Sequence, residues 1–252
     1  MRVASIQHDI VWADRDANFD RLRPLVAEAA ANGARLVLLS EMFSTGFVVD
    51  REDIGEPTGG PSSSFLSGVA SAHGVWLGGS CPETQPDDPR PFNSFVLASP
   101  DGSLHRYAKI HPFTYGGEHR HFRAGQEHVT VQVDDLRVSL FVCYDLRFAD
   151  EFWGLAGDTD LYLVPANWPA SRREHWTALL RARAIENQAW VMGTNRVGDG
   201  GGLSYCGDSR IVDPLGNETV AGDGECITYA DITPGSVSDV RARFPFLQDR
   251  RG

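Results

Sequence analysis

The stretch LRVSLFVCYDLRF, residues 136 to 148, decides how the rest of the chain is read. Its first half, Leu136 to Val142, is rich in β-branched and aromatic side chains and predicts a buried strand. Cys143 stands where that strand should end, and the polar Tyr144, Asp145 and Arg147 follow at once. A thiol placed there is held by a rigid element yet faces a loop opening, which suits a nucleophile better than a structural cysteine. Cysteine is among the most often buried residue types, so position rather than identity carries the argument.

Working outward, strands are expected at 128 to 133 and 136 to 142 around the acidic turn Asp134-Asp135, and DLYLVPAN (160 to 167) reads as another buried strand. SRREHWTALLRARAIEN (171 to 187) carries the clearest helical period, with Trp176, Leu179, Leu180 and Ala184 on one face and Ser171 and Glu174 as a capping box. AWVMGTN follows as a strand, and GDGGG (198 to 202) is expected to be a flexible loop. With no Lys-Ser or Lys-Thr after it, it is not a phosphate loop. Strand-like pieces lie near 208 to 212 and 225 to 232, joined by the turn at Pro214 to Asn217, and the tail from 233 to 252 is charged and irregular.

Toward the N-terminus, RVASIQ (2 to 7) alternates as a strand, and a helix is expected over roughly 16 to 32, with Pro24 kinking or delaying it. ARLVLLSE (34 to 41) is an apolar strand ending in Glu41. A short helix from Pro61 to about His73 and a strand at 75 to 80 come next. Residues 82 to 91 read as a Pro-rich surface loop, FNSFVLAS and SLHRYAK as a hairpin about Pro100-Asp101-Gly102, and 110 to 126 as a loop. Neither a repeat nor a domain boundary is evident, so one α/β domain is the simplest account.

The chain has 252 residues and a formal charge of -11, which gives it no general attraction for nucleic acid or anionic lipid. The four cysteines, Cys81, Cys143, Cys206 and Cys226, include no CxxC pair, so neither a metal site nor a disulfide framework is signalled. No signal peptide and no apolar run long enough for a membrane helix is seen, and reduced thiols in the cytoplasm are the expectation.

A nucleophilic cysteine needs a base or a cationic setting. His111, His119, His121 and His175 are candidate bases, but none sits in a cysteine-protease signature. Glu41, at the end of an apolar strand, is a carboxylate alternative, unless it is exposed and caps a turn. Lys109 also ends a strand and is the only lysine in a chain that otherwise uses arginine. It would favour thiolate and hold an oxyanion, or else be an ordinary solvated lysine.

Taken together, LSEMFSTGF, YAKIHPF followed by GGEH, and VCYDLRF resemble the nitrilase, or carbon-nitrogen hydrolase, superfamily over nearly the whole chain. The resemblance implies a single-domain α-β-β-α sandwich and a Glu-Lys-Cys triad. In it Glu41 is the general base, Lys109 the oxyanion stabiliser and Cys143 the nucleophile, with the Tyr144 backbone N–H completing the oxyanion hole. Glu118 matches the second glutamate of the family, which positions the lysine or the substrate. EMFSTGF, CYDLRF, ANWP and RARAIENQAW look most like the omega-amidase branch, which hydrolyses terminal amides of 2-oxo acids such as 2-oxoglutaramate without metal or organic cofactor. Ala149 departs from that pattern, since relatives often carry proline there.

A small anionic amide would need a cationic handle. Arg147 could pair with its carboxylate, as the matching arginine does in that branch, or form a structural salt bridge with Asp145. The helix start at Ser171 offers free N–H groups, with Arg172 and Arg173 adding charge, and Trp168 and Phe43 could wall the pocket or pack in the core. Rival readings are another activity of the superfamily (deaminated-glutathione amidase, N-carbamoyl hydrolase, nitrilase), a non-catalytic binding protein of the same fold, or a thiol redox protein using Cys81 or Cys206. Phe244, Phe246 and Leu247 in the tail, together with the habit of the family, predict a homodimer.

Overall fold

In the computed structural model, which describes residues 1–251, the alternation of the first strand, Arg2–Gln7, sets the layers of the fold. Ala4 and Ile6 pack with the helices Arg15–Ala31 and Pro61–His73, while Val3 points into the other core. Ser5 turns the same way as Val3 and meets Thr194 of the opposite sheet, Oγ to Oγ1 at 2.6 Å. The next strand, Leu36–Leu38, repeats the split: Leu36 and Leu38 join the inter-sheet core and Val37 the helix side. Side chains alternate with period two, so a one-residue slip would exchange the two cores.

Seven strands form the first sheet, in the order Cys226–Asp231, Arg2–Gln7, Leu36–Leu38, Trp76–Gln85, Asp88–Ala98 and Leu104–Ala108, with Glu56–Pro57 beside Trp76–Gln85. Six form the second, in the order Glu218–Val220, Arg210–Val212, Trp190–Asn195, Leu161–Ala166, Leu136–Leu140 and Thr130–Val133. Each sheet has a parallel centre of three strands flanked by antiparallel strands, and in the first sheet the short Glu56–Pro57 also pairs in parallel. The helix Arg173–Asn187 covers the second sheet so closely that a Cβ at Gly193 would stand 2.5 Å from Leu180 Cδ1. The result is the expected α-β-β-α sandwich in one domain.

Local expectations fail where pairing or burial overrides composition. The first helix runs through Pro24 because that residue lies on the exposed face, where the carbonyl it leaves unpaired meets water. Residues 82 to 91 are not a loop: the strands Trp76–Gln85 and Asp88–Ala98 run through them as a long hairpin, with a register shift between Glu83 and Gln85. GDGGG is not a flexible loop either. Val197–Gly200 pairs with Leu203–Cys206, and Gly201 and Gly202, at φ 58° and 76°, supply the left-handed turn that a tight hairpin needs. The segment 110 to 126 contains a short helix, Glu118–His121.

The capping box at Ser171 does not form. Ser171 is exposed in a separate 3-10 turn, Ala170–Arg172, and the helix begins at Arg173 without a side-chain cap. The tail expected to be irregular (Gly252 lies outside the described residues) forms the helix Pro234–Arg243 and the 3-10 turn Phe246–Asp249. It docks on its own chain: Arg241 donates to the Thr159 and Gln188 carbonyls at 2.7 and 3.1 Å, and Gln188 Nε2 donates to the Phe244 carbonyl at 2.8 Å.

Candidate active site

Three strand ends meet at the edge of the inter-sheet core. Glu41 lies three residues beyond Leu36–Leu38, Lys109 directly follows Leu104–Ala108, and Cys143 lies three residues beyond Leu136–Leu140. Carboxyl ends of parallel strands leave room for ligands because the chain must turn away there. Each turn is tight. Met42, next to Glu41, has φ 45°, and Cys143 itself has φ 44°, a conformation that L residues rarely adopt. A nucleophile held in such a turn stands clear of its own backbone.

Glu41, Lys109 and Glu118 are buried, at 0, 1 and 0% exposure, and satisfy one another. Lys109 Nζ lies 2.9 Å from Glu41 Oε1 and 2.8 Å from Glu118 Oε2. Asn93 Nδ2 bridges the two glutamates, at 2.8 Å from Glu41 Oε1 and 3.0 Å from Glu118 Oε1. The Asn167 backbone N–H donates to Glu41 Oε2 at 2.8 Å, and the Phe113 N–H donates to Glu118 Oε2. Glu118 opens its short helix rather than lying in a loop.

These contacts set the charge states. Burial alone would lower the Lys109 pKa, but the Glu118 and Glu41 carboxylates outweigh it and raise it well above the ordinary value, so the ammonium stays charged. Burial pushes the Cys143 thiol up, the Glu41 carboxylate pushes it further, and Lys109 only partly opposes them. Lys109 thus favours the thiolate, in the expected direction, but two carboxylates take up its charge, and burial with Glu41 outweighs it. Of the four histidines weighed as bases, His111 is bonded to Glu151, His175 to Arg147, and His119 and His121 are exposed.

Beneath the nucleophile, Asp145 is fully buried and accepts from Tyr107 Oη at 2.9 Å, Val142 N at 2.9 Å and His111 N at 3.0 Å. Burial raises its pKa to about 6, and Lys109 and those donors limit the rise. Asn93, Asn167 and Asp145 were given no role at the site from sequence, although Asn167 lies in ANWP and Asp145 in CYDLRF; Asn93 shows only as a polar residue at the start of FNSFVLAS.

A cavity of about 420 Å³ opens over Cys143. Glu41, Lys109, Cys143 and Asn167 line its floor, and Tyr144, Arg147, Trp168 and Arg172 line its walls. The Tyr144 N–H lies in the first turn of the 3-10 helix Cys143–Arg147, where backbone donors have no partner within the helix. Arg147 does not pair with Asp145. Its guanidinium lies 4.8 Å from the Trp168 ring centre and 3.1 Å from His175 Nδ1, and among the described residues it has no carboxylate partner. Two expectations fail here. Phe43 is fully buried against Phe19 and Phe65 and lies in the helix-side core, not on the cavity wall. Ser171 also lies off the wall, because the helix starts two residues later. Among the described residues, no group of three His, Cys, Asp or Glu is arranged to hold a metal ion, and no helix is long and apolar enough to cross a membrane.

Comparison with known proteins agrees with this arrangement. The chain is 36% identical over 256 residues to the omega-amidase YafV of Escherichia coli (strain K12), covering 99% of this chain and 96% of that one. It is 29% identical to the 2-oxoglutaramate amidase of Bacillus subtilis (strain 168), with 99% and 97% covered. Among solved structures, XC1258 from Xanthomonas campestris, described as a CN-hydrolase superfamily protein with an arsenic adduct in the active site, superposes with a TM-score of 0.94. It is 36% identical, with 100% and 97% of the two chains covered. Residues 2–242 match the carbon-nitrogen hydrolase family, and the chain belongs to it.

Proposed function

We propose that the protein is an omega-amidase, hydrolysing the terminal amide of a small carboxylate-bearing 2-oxo acid such as 2-oxoglutaramate to the acid and ammonia. Membership of the carbon-nitrogen hydrolase family makes it an enzyme that breaks a carbon–nitrogen bond with water. The observation that carries the finer reading is a cavity with a thiol, a carboxylate and an ammonium on its floor and an arginine without a carboxylate partner on its wall. The names of the two amidases similar to it support the same substrate class.

In this mechanism Cys143 Sγ attacks the amide carbon while its proton passes to Glu41. Lys109 Nζ contacts Glu41 Oε1 at 2.9 Å and both oxygens of Glu118 at 3.2 and 2.8 Å, and its charge stabilises the developing oxyanion beside the Tyr144 N–H. Collapse breaks the C–N bond, and Glu41 returns the proton to the departing ammonia. Glu41 then takes a proton from water as its oxygen attacks the thioester, and gives that proton back to the thiolate as the acid leaves. Glu118 and Asn93 hold Lys109 and Glu41 in place, and Arg147, stacked on Trp168, takes the substrate carboxylate. The test is ammonia release from 2-oxoglutaramate beside glutamine, asparagine and a simple nitrile. A preference for the 2-oxo amide is expected, and turnover of the nitrile alone would overturn the reading.

The same proposal covers the setting of the enzyme: one hydrolase domain over 1 to 252, a homodimer, and a cytoplasmic location. The four cysteines are free thiols, as a reducing compartment would keep them. Phe246 on the tail is 62% exposed, with Leu247 half-buried beside it. A single monomer peak on sizing at micromolar concentration would remove the dimer.

A further inference from the structure

Trp12 is held with more structure than a surface tryptophan needs. It lies just past the first strand, is 37% exposed, and lines the cavity over Cys143. Its benzo ring is closed in by three glycines. A Cβ at Gly46 would stand 2.8 Å from Cε3, one at Gly200 would stand 2.6 Å from the same atom, and one at Gly201 would stand 2.7 Å from Cη2. Side chains cannot approach that closely, so three positions have no side chain where the indole sits. Gly46 ends the turn that carries Glu41, and Gly200 and Gly201 form the end of the hairpin Val197–Cys206.

The loop bearing Trp12 is anchored on both sides. Arg196, fully buried, donates from Nη2 to Asp9 Oδ1 at 2.6 Å and to the Asp199 carbonyl at 3.0 Å, tying the loop to the hairpin. Ala13 N donates to the Thr45 carbonyl at 2.8 Å, tying it to the Glu41 turn. The indole is thus a fixed wall rather than a mobile flap. Leu203 and Tyr205, from the same hairpin, continue that wall.

We infer that Trp12 is a specificity-determining residue: its indole limits the bulk that the acyl group of the substrate can carry on the hairpin side of the cavity. This rests on the amidase reading above. A rigid aromatic wall rejects added bulk because its seats lie in two anchored segments, Gly46 in the Glu41 turn and Gly200 and Gly201 in the hairpin. A purely structural Trp12 would only hold the hairpin down and would treat all acyl groups alike.

The test uses terminal amides that share a C1 carboxylate and differ only in bulk at C2: 2-oxoglutaramate, glutaramate, N-acetylglutamine and N-benzoylglutamine. Values of kcat/KM are measured for the wild type, Trp12→Ala and Trp12→Leu. The inference expects the ratio of N-benzoylglutamine to glutaramate to rise about 10-fold or more in Trp12→Ala, the scale of shape discrimination in an apolar pocket, and to rise less in Trp12→Leu. A ratio within about 2-fold of wild type in whichever variant folds overturns it, even if activity falls on every amide. If neither variant folds, the inference is overturned as well, because Trp12 is then a folding residue. A wild type inactive on all four amides would instead fail the amidase reading.

Discussion

The floor and the mouth of the cavity are built in opposite ways. On the floor, every oxygen of Glu41 and Glu118 accepts at least one hydrogen bond, and the groups that donate to them are themselves buried or tied to the backbone. At the mouth, Arg147 and Arg172 lie against ring faces, 4.8 Å from the Trp168 centre and 5.5 Å from the Phe113 centre, and Arg120 is exposed. Bond making at one carbon needs groups fixed to a fraction of an ångström, which a closed polar network supplies. Capturing a carboxylate needs charge and reach, and a guanidinium stacked on an aromatic ring supplies both at lower cost in order.

The largest effect expected is on the floor. Cys143→Ala removes the nucleophile and should reduce ammonia release by about 10⁴-fold or more, with substrate binding retained, since the cavity walls are unchanged. Isothermal titration with substrate on the inactive variant separates the two. Ammonia release at the wild-type rate would break the distinction between floor and mouth altogether.

Lys109→Met should come next, and it should affect stability as well as rate. It leaves Glu41 and Glu118 buried around Asn93 with no cation between them. Breaking a buried ion pair by removing one partner costs about 3–5 kcal/mol. A lower urea midpoint is therefore expected together with loss of activity. A variant as stable as wild type would mean that the network tolerates rearrangement.

The sequence reveals the floor better than the mouth, for a physical reason. Glu41 and Cys143 each follow an apolar run, where a charge or thiol is conspicuous, and Lys109 ends a strand as the chain's single lysine. Phe43 sits two residues after Glu41, but a tight turn with Met42 at φ 45° points it into the helix-side core. Ser171 carries a capping signal that a 3-10 turn overrides. Asn93 is invisible as a functional residue because its partners, Glu41 and Glu118, are 52 and 25 residues away. The same is true of Trp12 and its seats at Gly46, Gly200 and Gly201, which only the folded chain brings together. The layers are partly legible: RVASIQ alternates, whereas ARLVLL is apolar throughout and only the folded chain divides it between the two cores.

At the mouth, Arg147→Gln should act on binding rather than chemistry. Loss of a charge-assisted contact to a carboxylate predicts a rise in KM of about 10- to 100-fold, with kcat changed much less. Arg147→Lys should restore part of that loss, since charge returns without the planar fork. A fall in kcat at unchanged KM would assign Arg147 to the floor network instead.

The smallest effect expected lies between the two regions, at Asp145, which holds the nucleophile turn to the Lys109 segment through Val142 N and His111 N. Its pKa is raised to about 6 in the folded protein, chiefly by burial, from an ordinary value of 3.8. For a raised carboxylate the folded state binds the proton more tightly than the unfolded chain does. The stability this group contributes is therefore fully present below about pH 4 and is lost as pH rises through about 6. Asp145→Asn cannot ionise, so its urea midpoint relative to wild type should shift in favour of the variant between pH 5 and pH 8. Ionised Asp145 is nonetheless the better acceptor for the two backbone N–H groups beside Cys143. Wild-type kcat should therefore fall as pH drops through about 6, and that dependence should be weaker in the variant. An unchanged difference in midpoint across this range would show that Asp145 does not titrate there, and that the clasp beneath the nucleophile is as fixed as the floor above it.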